Sequence, residues 1–385
     1  MNFNLELSIV MPCLNEAETI AICITKAKRF LIENKINGEV VIADNGSIDD
    51  SIAIAKSHNA RVINIKQKGY GSALKAGIDE AKGKYIIMGD ADDSYDFTNL
   101  MPYLKELRNG HDLVMGNRFK GGLEKGAMPF LHKYLGNPVL SFIGRLFFKV
   151  NIGDFHCGLR GFSKAAYNKM NLKTTGMEFA SEMVVKSKLI NLSITEVPTK
   201  LHKDGRTRPP HLNTWRDGWR HLRFLMLYAP NWLFLYPGIL LALLGLILSI
   251  LLVINPIEFE NFTLDVHTLL YTSAFLLVGF QFIIFYGLTK IFAVENELLP
   301  KSNRYNKLFK FINLEKGLII GFIILFLGLF LSYKGLSTWK ASNFGDLNTN
   351  TTLRLIIPAI TAIQLGVQTI LFSLFFSVLG LKQKN

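Results

Sequence analysis

Tyr85-Ile86-Ile87-Met88-Gly89-Asp90-Ala91-Asp92 decides the reading of this chain. The apolar run Tyr85 to Met88 has the length and composition of a buried strand. Asp90 and Asp92 then stand one residue apart at its carboxyl end. Two carboxylates so spaced can share one hard divalent cation, which in turn bridges protein oxygens to a diphosphate. On its own the pattern is weak, because acidic turns are common; its position after a buried strand gives it weight.

Strand and helix patterns alternate around it. Short apolar runs at Leu7 to Met11, Val40 to Ala43, Arg61 to Ile65 and Leu113 to Met115 read as further strands. Glu16 to Ile32, Ser51 to Ser57, Ser72 to Ala81 and Leu100 to Leu107 have helical spacing. This alternation predicts a mostly parallel sheet covered by helices, an α/β domain whose ligands sit beyond the strands' carboxyl ends. Polar residues gather there: Asn15 and Glu16, Asp44 to Ser47, Asp90 to Asp93, and Asn117 with Arg118. Asn45-Gly46-Ser47 reads as a turn, with Ser47 or Asp49 as a plain helix cap the competing explanation. Neither G-x-G-x-x-G after the first strand nor G-x-x-x-x-G-K-[ST] occurs, so a dinucleotide fold and a P-loop NTPase are not supported.

The composition changes near residue 230. Four long apolar runs follow: Trp232 to Ile254, Thr268 to Thr289, Gly317 to Tyr333 and Leu355 to Leu381. A membrane-crossing helix needs roughly 20 apolar residues. The third run is short, and Lys316 and Lys334 flank it where they can snorkel. Asn255 to His267 holds no Lys or Arg, whereas Lys290 to Lys316 is strongly basic and the tail carries Lys382 and Lys384. That alternation predicts an integral inner or plasma membrane protein with the amino-terminal domain and both termini cytoplasmic. Met1 to Leu7 lacks a signal-peptide pattern. The net charge of +13 then serves a membrane-facing surface, and no nucleic-acid partner is expected. Trp215 and Trp219 share a helix face amid Arg216, Arg220 and Arg223, which describes an amphipathic segment on anionic lipid. Cys13, Cys23 and Cys157 form no C-x-x-C pair and read as small buried hydrophobes.

The ordered set Pro12-x-Leu14-Asn15-Glu16, Asp44-Asn45-Gly46-Ser47-x-Asp49, Lys68-Gly69-x-Gly71, Asp90-Ala91-Asp92 and Gly116-Asn117-Arg118 resembles the family 2 glycosyltransferases, whose catalytic domain is called GT-A. Within them it looks like the polyprenyl-phosphate glycosyltransferases, including dolichol-phosphate mannose and glucose synthases. Further matches are Asp154-x-x-Cys157-Gly158-Leu159-Arg160-Gly161-Phe162, Gly176-Met177-Glu178-Phe179 with Glu182, and Gly205-Arg206-Thr207-Arg208. The resemblance implies a Rossmann-like nucleotide-sugar domain over residues 1–212, an interfacial amphipathic helix over 213–231 and four transmembrane helices over 232–385. It places Pro12, Leu14, Asn15, Glu16, Asp44, Asn45, Ser47, Lys68, Gly69, Asp90 and Ala91 around the donor. Asp90 and Asp92 become ligands of Mg²⁺ or Mn²⁺, and Asp92, Asp154, Glu182 and Arg160 the catalytic set. Arg118, Arg206 and Arg208 become candidates for the acceptor phosphate, since guanidinium matches phosphate bidentately.

The implied reaction moves a hexose, with inversion, from a nucleotide sugar of the UDP-glucose or GDP-mannose type to a membrane polyprenyl phosphate, for cell-envelope glycan or glycoconjugate assembly. A phosphate monoester is already anionic near neutral pH, so Glu182 or Asp154 would orient groups rather than carry protons. Two departures stand out: Asn45 where the family often has a second Asp, and Ser94 where some relatives offer a Gln to the metal. A processive polysaccharide synthase is the runner-up, but the Q-x-x-R-W string of those enzymes is absent. A non-catalytic lipid-binding subunit is a third reading, against which the intact Asp90, Asp92 and Glu182 stand. Homo-oligomerisation is left open.

Overall fold

The computed structural model describes residues 5–207, 214–296, 298–300 and 314–380. The chain forms two compact units, Met1–Tyr228 and Ala229–Asn385.

The first unit opens with β1 (Leu5–Cys13), α1 (Ile20–Glu33), β2 (Gly38–Asp44), α2 (Ser51–Ser57) and β3 (Arg61–Asn64). It continues with α3 (Tyr70–Glu80), β4 (Gly83–Met88), α4 (Met101–Arg108), β5 (Leu113–Asn117), the single turn α5 (Arg118–Gly121) and α6 (Asn137–Phe148). It closes with β6 (Arg160–Ser163), α7 (Lys164–Met170), α8 (Phe179–Leu189), β7 (Ile194–Pro198) and α9 (Thr214–Leu227). The seven strands lie in the order β3-β2-β1-β4-β6-β5-β7, all parallel except β6. Helices cover both faces, so Leu7, Ile9, Val10 and Met11 of β1 are all buried, as a parallel strand requires. In α1, Ile20, Cys23, Ile24, Ala27 and Leu31 recur at helical spacing and supply the stripe that packs on the sheet.

The chain leaves β1 toward β2 and β3, then crosses back to place β4 on β1's other side. The order reverses at β1 and β4, where an open α/β sheet binds its ligand. Asn15 and Glu16 follow β1 there, and Asp90 follows β4. β6 begins at this edge because it runs antiparallel, which brings Asp154 to Arg160 to the same place.

Three expectations shift. α1 starts at Ile20 rather than Glu16, because Asn15 takes φ +57° and residues 16–19 form a turn first. β6 does not announce itself in the sequence: it spans four residues with Gly161 inside. And α9 packs on α6 and α8, so the first unit extends to Tyr228 rather than ending at 212.

In the second unit four helices are long and apolar enough to span a bilayer: Asn231–Ile254, Val266–Glu295, Leu314–Ala341 and Thr349–Leu379. The regular parts are α10 (Tyr236–Ile254), α11 (Val266–Glu295), α12 (Leu314–Ala341) and α13 (Thr349–Gly380). The third is a full-length span, because its helix runs on through both flanking lysines. The helices pair as two hairpins on small residues, as lipid-embedded interfaces do. Gly238 and Gly245 of α10 meet Gly279 and Leu276 of α11, and Ser249 hydrogen-bonds Thr272 at 2.8 Å. Gly321, Gly328 and Gly335 of α12 recur every seven residues against Gly366, Ile363 and Ile356 of α13. Asp265, before α11, pairs with Arg354 of α13 at 2.5 Å and ties the hairpins together.

A Cβ at Gly366 would lie 2.6 Å from the Leu325 amide nitrogen, whereas one at Gly287 would sit 3.6 Å from the Phe372 ring. Gly366→Val should therefore force α12 and α13 apart and cost several kcal/mol, of the order of about 3 as for other overpacked cores. Gly287→Ala should be nearly neutral. Melting of the detergent-solubilised variants measures both.

Candidate active site

The loops after β1 and β2 are sewn together by their polar residues. The Asn15 and Glu16 amides donate to Ser47 Oγ at 2.8 Å and Ser51 Oγ at 2.7 Å, and Ile48 N donates to Asn15 Oδ1 at 2.8 Å. Pro12 sits opposite Ala43 at the end of this strand pair, and Leu14 follows half-buried. Asp44 turns its carboxylate into its own turn, accepting from the Gly46 amide at 2.9 Å and from Ser47. Gly46 takes φ +90°, as the turn reading requires. Asn45 uses its amide both ways: Nδ2 donates to Gln67 O at 2.8 Å while Oδ1 accepts from Gly69 N at 2.7 Å. An aspartate could not make the first of these bonds, which accounts for Asn45. Lys68 Nζ donates to the Asn45 carbonyl at 2.7 Å.

Beyond β4, Asp90 accepts from the Tyr70 hydroxyl at 2.9 Å. Burial first, and Asp92 second, push its carboxyl up to about 6. Asp92 accepts from Ser94 Oγ at 2.6 Å and from Arg206 Nη2 at 2.8 Å. Ser94 thus orients the second aspartate. Ala91 is buried between them, its carbonyl held by Thr19 Oγ1 at 2.7 Å. The backbone of 202–207 straps across this edge: Gly205 N donates to Asp92 O, and Thr207 N to Glu18 at 2.7 Å.

Asp90 also lines a cavity of about 170 Å³ with Tyr70, Tyr95, Arg118, His132 and His156, closed by α6 and by Asp217 and His221 of α9. Arg118 is clamped to the fully buried Asp154, Nε to Oδ2 at 2.6 Å and Nη2 to Oδ1 at 2.8 Å. Ser181 Oγ lies 2.9 Å from His221 Nδ1 and 3.4 Å from His156 Nε2, and the two rings meet edge to face. Burial holds both imidazoles neutral, His156 well below its ordinary value and His221 down to about 4. A larger open groove of about 630 Å³ lies at the opposite edge, by Gly38, Glu39 and Arg61, away from these groups.

Three site expectations are corrected. Arg160 does not face the cavity: fully buried, it donates to the carbonyls of Cys157 and Ala180. Glu182 is likewise fully buried, accepting from the Lys173 and Thr174 amides and pairing with Lys186 at 2.9 Å. Both are held by partners within the fold. Arg206 lies against Asp92, Glu16 and Asp204, where clustered carboxylates draw a cation. Arg208 falls outside the described residues. The three cysteines are buried, as expected.

Sequence reasoning missed His156, Ser181 and His221. One signal was available: Asp217 and His221 lie four apart on the face of α9 opposite Trp215 and Trp219. It also missed α6, whose run-in and outer face expose Leu131, Leu135, Val139, Phe142 and Leu146 in one stripe, with Arg145 and Lys149 beside it.

Comparison with known proteins decides the family. The Glycosyl transferase family 2 profile matches residues 8–170, and the Glycosyltransferase family 2 C-terminal transmembrane region matches 287–380. The low-salt glycan biosynthesis hexosyltransferase Agl6 of Haloferax volcanii is 36% identical over 378 residues, 97% of this chain and 89% of that protein. The chain belongs to glycosyltransferase family 2. This glycosyltransferase is also 27% identical to the dolichyl-phosphate hexose transferase of the same organism, over 50% of this chain and 81% of that one. A solved glucosyl-3-phosphoglycerate synthase of Mycobacterium tuberculosis shows a distant likeness, with a TM-score of 0.45 and 20% identity over 58% of this chain and 78% of that one. The matched transmembrane region and the four long apolar helices make the glycosyltransferase a membrane protein.

Because His221 sits below its ordinary value when folded, the unfolded chain takes up the proton first as pH falls. Its contribution to stability is present above about 6.5 and is lost between 6.5 and about 4. Asp90, raised when folded, works in the opposite direction below about 6. His221→Gln removes only the first effect. Relative to wild type, the variant should gain on the order of 3 kcal/mol between pH 7 and pH 4, read as a flatter fall of melting temperature with acid.

Proposed function

We propose that this glycosyltransferase transfers a hexose, with inversion, from a nucleoside diphosphate sugar to a membrane polyprenyl phosphate. The observation that carries the reading is the juxtaposition of two subsites: the acidic edge at Asp90 and Asp92, and the cavity beside it that holds Arg118.

The acidic edge fits a divalent cation. Its donors are hard carboxylate oxygens, like charges crowd there, and a guanidinium already rests on Asp92 and Glu16. Among the described residues no group of three or more His, Cys, Asp or Glu forms a ready cage. That suits Mg²⁺ or Mn²⁺, which take one or two carboxylates and complete their shell with water and substrate phosphate. Asp90 and Asp92 would hold the ion, which when bound neutralises the departing nucleoside diphosphate. The sewn loops at Asn15, Asp44 to Ser47 and Lys68 would seat the nucleotide.

The acceptor reading rests on chemistry. Asp154 is locked to Arg118 and Glu182 is consumed within the fold, so neither is placed to take a proton. The neutral histidines, with depressed affinity for protons, are poor bases near pH 7. A phosphate monoester brings its own negative charge and needs little help. Arg118 Nη1 takes no part in the Asp154 clamp and would meet that phosphate. Trp215 and Trp219 are 74% and 56% exposed, and with the stripe on α6 they suit contact with a lipid surface. The resemblance to the dolichyl-phosphate hexose transferase points the same way.

Incubating the purified enzyme with Mn²⁺, undecaprenyl phosphate and a panel of radiolabelled nucleotide sugars should move label into the lipid phase for one donor. Asp92→Asn should lower turnover at least about a hundredfold, the upper range for groups around a metal site, with the fold retained. Label that reaches only water-soluble acceptors would sink the lipid reading.

We further propose that the catalytic unit and both termini are cytoplasmic, from the loop charges. The native cysteines are buried, so an added one reports cleanly. In intact cells, Asn261→Cys should react with an impermeant thiol reagent and Lys35→Cys should not. The reverse pattern overturns the orientation.

A further inference from the structure

The cation-binding carboxylate Asp90 is steered from outside its own loop. Its Oδ1 accepts from the Tyr70 hydroxyl at 2.9 Å. On its other side Gly158 crowds it: a Cβ there would lie 2.4 Å from Asp90 Oδ2. Glycine at 158 leaves this carboxylate in its place, where a larger residue would displace it, and the Tyr70 hydroxyl fixes its rotation.

Tyr70 is itself fixed from behind. It opens α3 directly after Gly69, whose φ of +133° suits glycine. A Cβ at Gly69 would fall 2.3 Å from Thr175 O, and one at Gly71 would fall 2.9 Å from the carbonyls of Thr174 and Gly176. Ser72 N donates to Thr175 O at 3.1 Å. The glycines of Lys68-Gly69-Tyr70-Gly71 therefore admit the protein's own 174–176 backbone. That segment is anchored by Glu182, which accepts from the Lys173 amide at 3.0 Å, the Thr174 amide at 2.8 Å and Thr174 Oγ1 at 2.7 Å. Lys186 neutralises the same carboxylate and donates to Asn171 O at 2.6 Å.

We propose that Tyr70 is a positioning residue for Asp90, held in register by Glu182 through residues 173–176. Glu182 then matters to the reaction without touching substrate: its buried carboxylate sets a loop, the loop seats two glycines, and the glycines aim one phenol at a cation ligand. This rests on reading Asp90 and Asp92 as the cation's carboxylates, and the experiment separates the two claims. Hydrogen bonds to a ligating carboxylate set its orientation, and losing one such partner lowers metal affinity about 10- to 100-fold.

The test is Mn²⁺ binding to the full-length protein in detergent, followed by electron paramagnetic resonance with excess UDP and, in parallel, excess GDP. Tyr70→Phe keeps the ring and removes the hydroxyl. It should weaken Mn²⁺ about tenfold while leaving the melting temperature and the metal-free nucleotide affinity unchanged. Thr174→Val, which removes one bond to Glu182, should weaken Mn²⁺ in the same direction by less. Glu182→Gln should weaken it more and also lower the melting temperature. Asp92→Asn is the control for the site. If Asp92→Asn loses Mn²⁺ and Tyr70→Phe binds it as wild type does, the positioning role is wrong and the cation reading stands. If Asp92→Asn also binds normally, the cation reading itself fails. If Tyr70→Phe instead loses metal-free nucleotide affinity, Tyr70 contacts the donor and the positioning role is overturned. Unchanged Mn²⁺ affinity in both Thr174→Val and Glu182→Gln would break the link to Glu182.

Discussion

The catalytic unit is organised around the cost of gathering negative charge at one edge of a sheet. Asp90, Asp92, Glu16 and Asp204 converge there, and burial together with the neighbouring Asp92 makes Asp90 less willing to stay ionised. The fold offsets this with oriented donors: the Tyr70 phenol on Asp90, Ser94 on Asp92, and the Arg206 guanidinium across Asp92, Glu16 and Asp204. Much of the surrounding architecture exists to hold those donors. Gly69, Gly71 and Gly158 give space where a Cβ would collide, and the strap through Gly205 brings Arg206 over the edge.

The parts of this arrangement that were legible in the sequence are local ones. A buried strand followed at once by Asp90-Ala91-Asp92 is visible because the strand and its ligands are contiguous. The alternation of strands and helices, and so the parallel sheet, follows from periodicity. The four spans follow from length, since nothing but a long apolar helix satisfies its backbone in a bilayer. Ser51–Ser57 was placed to the residue for the same reason: its pattern is complete within one segment.

What was not legible depends on contacts between distant residues. Arg118 and Asp154 are 36 positions apart, and Ser181 and His221 are 40 apart. A lone Arg or Glu in a motif looks the same whether it faces a ligand or a carbonyl. Arg160 was expected to meet substrate, yet a four-residue antiparallel strand turns it inward onto Cys157 O and Ala180 O. Glu182 falls in the same class. Arg206 reads as an acceptor-phosphate candidate because guanidinium matches phosphate, but in the fold three carboxylates take up that guanidinium.

The two faces of α9 connect these themes. Its outward face carries Trp215 and Trp219, while its inward face carries Asp217, His221, Phe224 and Leu225, of which the first two close the cavity. A helix whose only task was to anchor the chain would bury apolar residues against its domain. This one buries a carboxylate and an imidazole, and burying polar groups costs free energy unless they are satisfied. His221 is satisfied by Ser181 of α8, so the helix is keyed to the catalytic unit by a hydrogen bond as well as by packing. The same is true of α6, where Ser141 Oγ accepts the Phe155 amide at 3.2 Å, one residue beyond Asp154. The two amphipathic helices are therefore walls of the chemical site. Displacing either one would deform the cavity that Arg118 lines and so disturb its clamp to Asp154.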